Sequence, residues 1–205
     1  MKISSQLSVG IDPGINGAIA VTDSTGKLTE FYSFADRVQS VGINELRVVD
    51  PQWLHGVLVE LRKKASRLTI ETPKIATYES NGKAHVGIKA ICQLHQQVGS
   101  VWNTAVLAGF TPQPADPQNW QGYHSLSKQN TRTVKTVVKD AFLEWHRAHD
   151  SCGAVWQSVT ATQLSGVADA WAIAHYEYQQ PIVKDRKSRV QKVKTAEISP
   201  EFVMF

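Results

Sequence analysis

Cysteine and long hydrophobic runs are scarce in this sequence. Its 205 residues include two cysteines, Cys92 and Cys152, which stand far apart and form no pair with metal-ligand spacing. No apolar run approaches the roughly 18 residues that a membrane-spanning helix needs. The polar residues Ser4, Ser5 and Gln6 interrupt the N-terminal stretch where a signal peptide would have its apolar core. We therefore expect no disulfide framework, no zinc site and no membrane span, and a reducing, cytoplasmic location.

A large excess of charge of one sign is also absent from most of the chain. The formal net charge is +4, from 22 Lys and Arg against 18 Asp and Glu, and 42% of the residues are hydrophobic. This composition is typical of a folded globular protein and excludes a disordered chain. The length favours one domain, and the sequence contains neither internal repeats nor low-complexity segments.

The positive charge concentrates near the C-terminal end. Residues 184–194 contain six basic residues and one Asp, so this segment carries +5 and the rest of the chain about −1. We interpret 1–180 as a folded domain and 181–205 as a flexible basic tail. The tail either only increases solubility or contacts DNA phosphates, where neutralised charges release counterions. The candidates for such contacts are Lys184, Arg186, Lys187 and Arg189.

A second basic cluster has helical spacing. Lys128, Arg132, Lys135 and Lys139 are separated by 4, 3 and 4 positions, which places them on one face of a helix. An apolar stripe within residues 134–145 forms the opposite face. The basic face is either an ordinary solvated surface or a surface that follows the phosphates of DNA.

Hydrophobic periodicity predicts the order of the secondary-structure elements. Three short strands, 7–11, 17–22 and 28–34, are joined by turns and form an antiparallel meander. They are followed by a helix that begins at Pro51 after the cap Asp50, a strand over 67–71, a helix over 88–108, a strand over 111–115, a helix from about 128 and a helix over 166–178. We predict no regular structure over 148–165. This order favours an α/β fold with a mixed five-stranded sheet and helices on both faces.

Three acidic residues stand at the ends of predicted elements. Asp12 ends the first strand, Glu71 ends the fourth, and Asp169 lies in the first turn of the last helix. The first and fourth strands are expected to be parallel neighbours, so Asp12 and Glu71 would lie side by side. Carboxylates this close repel one another unless a hard cation such as Mg²⁺ or Mn²⁺ joins them. Alone, each acid has an ordinary explanation, as a turn residue or as a partner of a helix dipole.

The segments that carry these acids resemble one protein family. The stretch 9–21, VGIDPGINGAIAV, is similar to the first hairpin of the RuvC-like Holliday junction resolvases, which belong to the RNase H-like superfamily. The stretch 68–73, LTIETP, is similar to their second acidic strand, and 168–174, ADAWAIA, to their last acidic helix. The resemblance implies an RNase H-like fold in a protein of bacterial or phage origin.

The resemblance further implies a crossover junction endodeoxyribonuclease that works as a homodimer. Such an enzyme cuts branched DNA, four-way junctions above all, by hydrolysis with two Mg²⁺ or Mn²⁺ ions in each site. By this resemblance Asp12, Glu71 and Asp169 bind the metal. Lys128 is similar to a basic residue that the family places near the scissile phosphate.

The long loop 73–87 after the second acidic strand holds further candidates for DNA binding. Lys74 directly follows this strand, and Lys83 stands further along the loop. Tyr78 is either an anchor of the loop or a platform on which a base of an opened junction stacks. Loops of this length are commonly functional or mobile.

One residue of the family pattern is missing. The family usually has a fourth ligand, Asp or His, three or four positions before its last Asp, where this chain has Gly166 and Ser165. The candidates for a substitute ligand are Asp116, His124, His149 and Asp150. This departure leaves open a second function, a DNA-junction-binding protein with weak or no catalysis. An actin-like phosphotransferase domain is disfavoured, because that fold needs two similar halves and the chain has no repeat.

Overall fold

The secondary-structure elements follow the predicted order, with additions. The computed structural model describes residues 7–42, 46–72, 88–124, 133–149 and 154–179. The strands are β1 (Leu7–Asp12), β2 (Ala18–Thr22), β3 (Leu28–Ser33), β4 (Val38–Val41), β5 (Leu46–Val49), β6 (Ala65–Glu71) and β7 (Gln113–Ala115). The helices are α1 (Pro51–Arg62), α2 (Ile88–Leu107), α3 (Pro117–Tyr123), α4 (Val134–His149) and α5 (Leu164–Gln179), with a 3₁₀ helix over Val155–Ser158. No helix within these ranges is long and apolar enough to cross a membrane.

Five of the strands form one mixed sheet in the order β3-β2-β1-β6-β7. The pairs β1–β2 and β2–β3 are antiparallel, while β1–β6 and β6–β7 are parallel. The predicted mixed five-stranded sheet, a meander followed by alternating helices and strands, is therefore confirmed. The parallel pairing of the first strand with the strand after the first helix is confirmed as well.

Each face of the sheet carries its own hydrophobic core. On one face, Val9 and Ile11 of β1 pack in the core that includes the buried residues of α1 and α2. On the other face, Ala18 and Ala20 of β2 pack in the core that includes α3, α4 and α5. This division follows from strand geometry, because successive side chains point to opposite faces. The helices cover both faces, as predicted.

Helix α5 lies unusually close to the centre of the sheet. A Cβ atom at Gly10 of β1 would be 2.2 Å from the carbonyl oxygen of Ala170 and 2.4 Å from the nitrogen of Ala174. Only glycine fits at this contact, since real Cβ atoms essentially never approach so closely. The close packing brings the first turns of α5, with Asp169, to the edge of the sheet where β1 ends.

Three parts of the chain differ from the prediction. Residues 38–49 include the β4–β5 hairpin, for which the sequence shows no clear alternation. Trp120 is buried and lies in α3, in the stretch between residue 115 and about 128 where no element was predicted. Asp116 caps this helix by accepting a hydrogen bond from the Gln118 N–H at 2.9 Å. Part of the segment predicted to be irregular forms the 3₁₀ helix.

The basic helix begins later than predicted. The hydroxyl oxygen of Thr133 accepts a hydrogen bond from the Thr136 N–H at 3.3 Å, so Thr133 caps α4. Of the four basic residues predicted for one helical face, α4 therefore contains Lys135 and Lys139. Lys128 and Arg132 precede the cap and lie outside the described residues.

Aromatic and imidazole rings form a cluster on the face of the sheet that α3, α4 and α5 cover. This ring cluster consists of Trp145, Trp171, His124, His146 and His175, whose neighbouring ring centroids lie 4.8–5.9 Å apart. The Trp171 indole donates a hydrogen bond to the Gly26 carbonyl at 2.8 Å, and His146 Nε2 accepts one from the Leu28 N–H at 3.3 Å. These bonds fix the β2–β3 turn against α4 and α5.

Candidate functional site

One cavity collects the three acidic residues. It encloses about 710 Å³ at the edge of the sheet and is lined by the β1–β2 turn and by parts of α2, α3, α4 and α5. Asp12 and Glu71 follow the register pair Ile11–Ile70 directly, at the carboxyl ends of two neighbouring parallel strands. Asp169 enters the cavity from α5. Tertiary structure thus brings together three carboxyl groups that are distant in sequence.

The β1–β2 turn holds Asp12 in its orientation. One carboxylate oxygen of Asp12, Oδ1, accepts a hydrogen bond from the Gly14 N–H at 2.9 Å. A Cβ atom at Gly17 would be 2.1 Å from the carbonyl oxygen of Asp12, so this turn closes only with glycine. Burial raises the pKa of Asp12, while the Gly14 hydrogen bond and the positive charge of Lys135 act in the opposite direction.

Glu71 has the most perturbed carboxyl group for which a value is resolved. Burial raises its pKa to about 8, and the negative charges of Asp12 and Asp169 add to this increase. Lys135 lowers it in part. The Trp120 indole, which faces this carboxyl, lowers it as well, although its N–H has no partner in ordinary hydrogen-bond geometry within the described ranges.

Asp169 is affected in the same way from the helical side. Burial raises its pKa to about 7, and the charge of Asp12 adds to the effect. Lys135 and Lys139 of α4 lower it. The three acids therefore lie close enough to repel one another, which is the arrangement expected of a site that attracts a cation.

Lys135 has a place that the sequence did not reveal. We predicted it as part of a DNA-binding face, and the structure places it in the wall of the acid cavity. Its charge acts on all three carboxyl groups. The sequence indicates only that Lys135 lies in the first turn of a helix that precedes the Asp169 segment. The packing of α4 on α5 is what places Lys135 near Asp169.

Most of the other predicted DNA-binding residues fall outside the described part of the chain. This holds for the residue proposed near the scissile phosphate, for the loop after β6 and for the basic tail. These residues are Lys74, Tyr78, Lys83, Lys128, Arg132, Lys184, Arg186, Lys187 and Arg189. Their roles stay predictions.

At one of the two family positions, Gly166, the structure leaves no room for a ligand side chain. A Cβ atom at Gly166 would lie 2.2 Å from the carbonyl oxygen of Asn16 and 2.8 Å from the backbone of Gly17. The β1–β2 turn thus occupies the space that any side chain at position 166 would need. Ser165 does line the cavity.

None of the described substitutes lines this cavity. Asp116 caps α3, and His124 Nε2 bonds the Ala172 carbonyl at 2.9 Å within the ring cluster. His149 Nδ1 bonds the Trp145 carbonyl at 2.7 Å. Asp150 lies outside the described residues. The described part of the chain therefore supplies three carboxylates to the cavity and no fourth charged ligand.

The donor set suits a hard cation. Among the described residues, the cavity has carboxylate, amide and hydroxyl side chains in its wall but no histidine or cysteine. No three His, Cys, Asp or Glu side chains in these ranges stand close enough together to hold a metal ion as they are. A divalent ion would offset the repulsion between the carboxylates and draw them inwards, and oxygen ligands are those that Mg²⁺ and Mn²⁺ prefer.

Comparison with known proteins finds similarity only among solved structures. No protein-family model matches the chain, and no curated protein matches it. A Thermus thermophilus RuvC structure is 16% identical with a TM-score of 0.46, and the alignment covers 83% of this chain and 92% of the RuvC chain. Thermus thermophilus RuvC in complex with a Holliday junction substrate is 16% identical with a TM-score of 0.44, covering 83% of this chain and 91% of its own. The chemistry of the cavity therefore has to be argued from the residues that line it.

Proposed function

We propose that this chain is a metal-dependent endodeoxyribonuclease that hydrolyses phosphodiesters in branched DNA, with the four-way junction as its substrate. The carrying observation is that Asp12, Glu71 and Asp169 share one cavity and repel one another. Buried like charges reduce the stability of a fold, so a purely structural role for all three is hard to sustain. Strongly perturbed carboxyl groups in a cleft are characteristic of functional sites.

The side chains of the cavity divide into two roles. Asp12, Glu71 and Asp169 would hold Mg²⁺ or Mn²⁺, which, when bound, activates water and stabilises the leaving oxygen of a phosphodiester. The Gly14 N–H keeps the Asp12 carboxylate oriented towards the cavity. The Lys135 ammonium group offsets part of the negative charge and is the described cation best placed to contact a phosphate oxygen.

Two features of the proposal concern the assembly. Resolution of a junction needs paired nicks, which two copies of this cavity in a homodimer would supply. The tail and the loop after β6 would add phosphate contacts, because an acid cavity by itself repels DNA. The homodimer rests on the sequence resemblance and the phosphate contacts on the basic residues of these segments, and both stay predictions.

A second function is favoured by the sealed position at Gly166. A protein with three carboxylates and no fourth ligand from α5 could bind junctions while cutting them weakly or not at all. In that case the fold would act as a DNA-junction-binding module.

A cleavage assay separates these two functions. Purified protein is incubated with a labelled synthetic four-way junction in Mg²⁺, in Mn²⁺ and in EDTA, with a linear duplex of the same sequence as control. The nuclease proposal expects metal-dependent paired nicks in the junction and none in the duplex. Tight junction binding without cutting in either metal would establish the binding module instead, and absence of both would refute both functions.

A further inference from the structure

The β4–β5 hairpin is attached to the wall of the acid cavity. Gln93 and Gln97 stand about one turn apart on α2, and both line the cavity. Gln93 Oε1 accepts a hydrogen bond from the Arg47 N–H at 2.7 Å, and Gln93 Nε2 donates one to the Arg47 carbonyl. Gln97 Oε1 accepts a hydrogen bond from the Val49 N–H at 3.0 Å. Two amide side chains thus hold β5 much as a neighbouring strand would.

Arg47 is the basic residue of β5. It is exposed and stands opposite Ser40 in the hairpin. The described hairpin residues 38–42 and 46–49 contain no acidic residue. Within the described ranges, the Arg47 guanidinium has neither an ion pair nor a hydrogen bond, because all its contacts there are made by the backbone.

The position of Arg47 complements that of Lys135. Lys135 lies on α4, which packs on one face of the sheet, while Arg47 is held by α2, which packs on the other. Both helices contribute residues to the wall of the acid cavity. The backbone of Arg47 is thus attached to one wall of the cavity, and Lys135 belongs to another wall.

We propose that Arg47 binds a phosphate of the DNA strand that enters the cavity, so that the β4–β5 hairpin belongs to the DNA-binding surface. This inference rests on the proposed function, because the same strand is the one that would be cut. Arginine suits the role, since its planar guanidinium matches the geometry of phosphate oxygens. Holding β5 by two side chains of the cavity wall fixes the distance between this contact and the site.

The salt dependence of binding tests the proposal without requiring catalysis. Affinity for an immobile synthetic four-way junction is measured in EDTA over a range of salt concentrations, for the unmodified chain, for Arg47→Ala and for Lys63→Ala. Loss of one phosphate contact lowers the slope of log K against log salt by about 0.9. The affinity advantage of the unmodified chain over Arg47→Ala should therefore shrink about 3.5-fold between 50 and 200 mM salt.

The Lys63→Ala control removes an equal charge away from the cavity. Lys63 is exposed, pairs with Glu60 at 2.6 Å and follows the last turn of α1. The slope for Lys63→Ala should match that of the unmodified chain. Arg47→Lys should retain most of the slope, because the positive charge remains. An unchanged slope for Arg47→Ala, or an equal decrease for Lys63→Ala, would overturn the inference.

Folding and function can be separated from this result. The hydrogen bonds of Arg47 to Gln93 use backbone atoms, so alanine retains them, and the circular dichroism spectrum should not change. If the slope decreases but the protein cuts the junction neither with Mg²⁺ nor with Mn²⁺, the DNA contact stands and the nuclease proposal fails. If cleavage occurs and the slope does not change, the nuclease proposal stands and the role of Arg47 fails.

Discussion

Helix α5 contributes to two buried polar regions, the acid cavity and the ring cluster, which differ in how their polar groups are compensated. Asp169 faces the acid cavity, whereas Trp171 and His175, further along the helix, pack in the ring cluster. In the ring cluster, Trp171 and His146 bond backbone groups, and burial lowers the pKa of His175 to about 4 so that it stays neutral. In the acid cavity, burial raises the pKa of all three carboxyl groups, and repulsion by neighbouring carboxylates adds to the increase for Glu71 and Asp169.

The two regions therefore contribute to the stability of the fold with opposite signs. A buried polar atom with a partner contributes to stability, and an uncompensated buried charge reduces it. The hydrogen bonds of Trp171, His146 and His124 therefore stabilise the α3–α5 face. We expect the acid cavity to lower stability, and the proposed metal site would account for its three carboxylates.

The largest effect should come from removing one charge of the cavity. We expect Asp12→Asn to abolish cleavage of a four-way junction, because a proposed metal ligand is lost. Junction binding should remain or become tighter, and the melting temperature should rise, because the repulsion with Glu71 and Asp169 decreases. Cleavage gels, binding titrations and thermal unfolding measure these three results. Unchanged cleavage by Asp12→Asn would refute the nuclease proposal.

The next effect should come from the glycine that brings α5 against the β1–β2 turn. In Gly166→Ala the new methyl group would lie 2.2 Å from the Asn16 carbonyl, so the turn that carries Asp12 must shift. We expect a loss of about 1–3 kcal/mol in the free energy of unfolding, typical of overpacking, together with weaker cleavage.

Gly56→Ala is the matched control for this glycine. Gly56 lies within α1, and a Cβ atom there would meet nothing within 4 Å. This variant should be more stable by about 0.4–1 kcal/mol, because alanine restricts the unfolded chain. Urea unfolding compares the two variants, and equal changes would show that the close contact at Gly166 has no special role.

A change in the ring cluster should affect stability without affecting the chemistry. His146→Phe leaves the buried Leu28 N–H without its acceptor, which costs about 1–3 kcal/mol. Cleavage per folded molecule should not change. His149→Phe, at an exposed position on the same helix, should change stability by less than about 0.5 kcal/mol. Equal losses for both variants, measured in urea, would contradict the structural role assigned to His146.

The pH dependence of stability should have opposite signs in the two regions. The folded pKa of Glu71 is about 8 against an ordinary 4.5, so between these values the folded state alone keeps the proton and stability falls as pH rises. The folded pKa of His175 is about 4 against 6.5, so stability falls as pH drops through that range.

Between pH 6.5 and 8 the carboxyl groups dominate increasingly, because the unfolded histidines lose their protons as pH rises above 6.5. There the free energy of unfolding should decrease with pH by up to about 1.4 kcal/mol per unit for each carboxyl that titrates. Glu71→Gln should reduce this slope, with Asp169 contributing the remainder near pH 7. Urea unfolding at pH 6.5, 7.2 and 8.0 measures the slopes. A stability that rises over this range in the unmodified chain would contradict the repulsion between the acids.

Much of the framework of the site could be predicted because its signals are local. The apolar runs before Asp12 and Glu71 mark strands that end at these residues, and Asp50 with Pro51 marks the start of α1. The prediction missed the helix at Trp120 and was wrong about the start of α4. In both cases a cap, Asp116 or Thr133, decides where the helix begins, and such capping residues also occur in ordinary turns.

The sequence by itself determined the order of the strands and helices and placed three acids at the ends of their elements, because periodicity and turn residues act over a few positions. Only the tertiary structure decided that Lys135 lines the acid cavity, that the Asn16 carbonyl seals position 166, and that Gln93 holds Arg47 from 46 positions away. These contacts join segments that are distant along the chain. Their geometry depends on how the helices pack on the sheet, which no local pattern records.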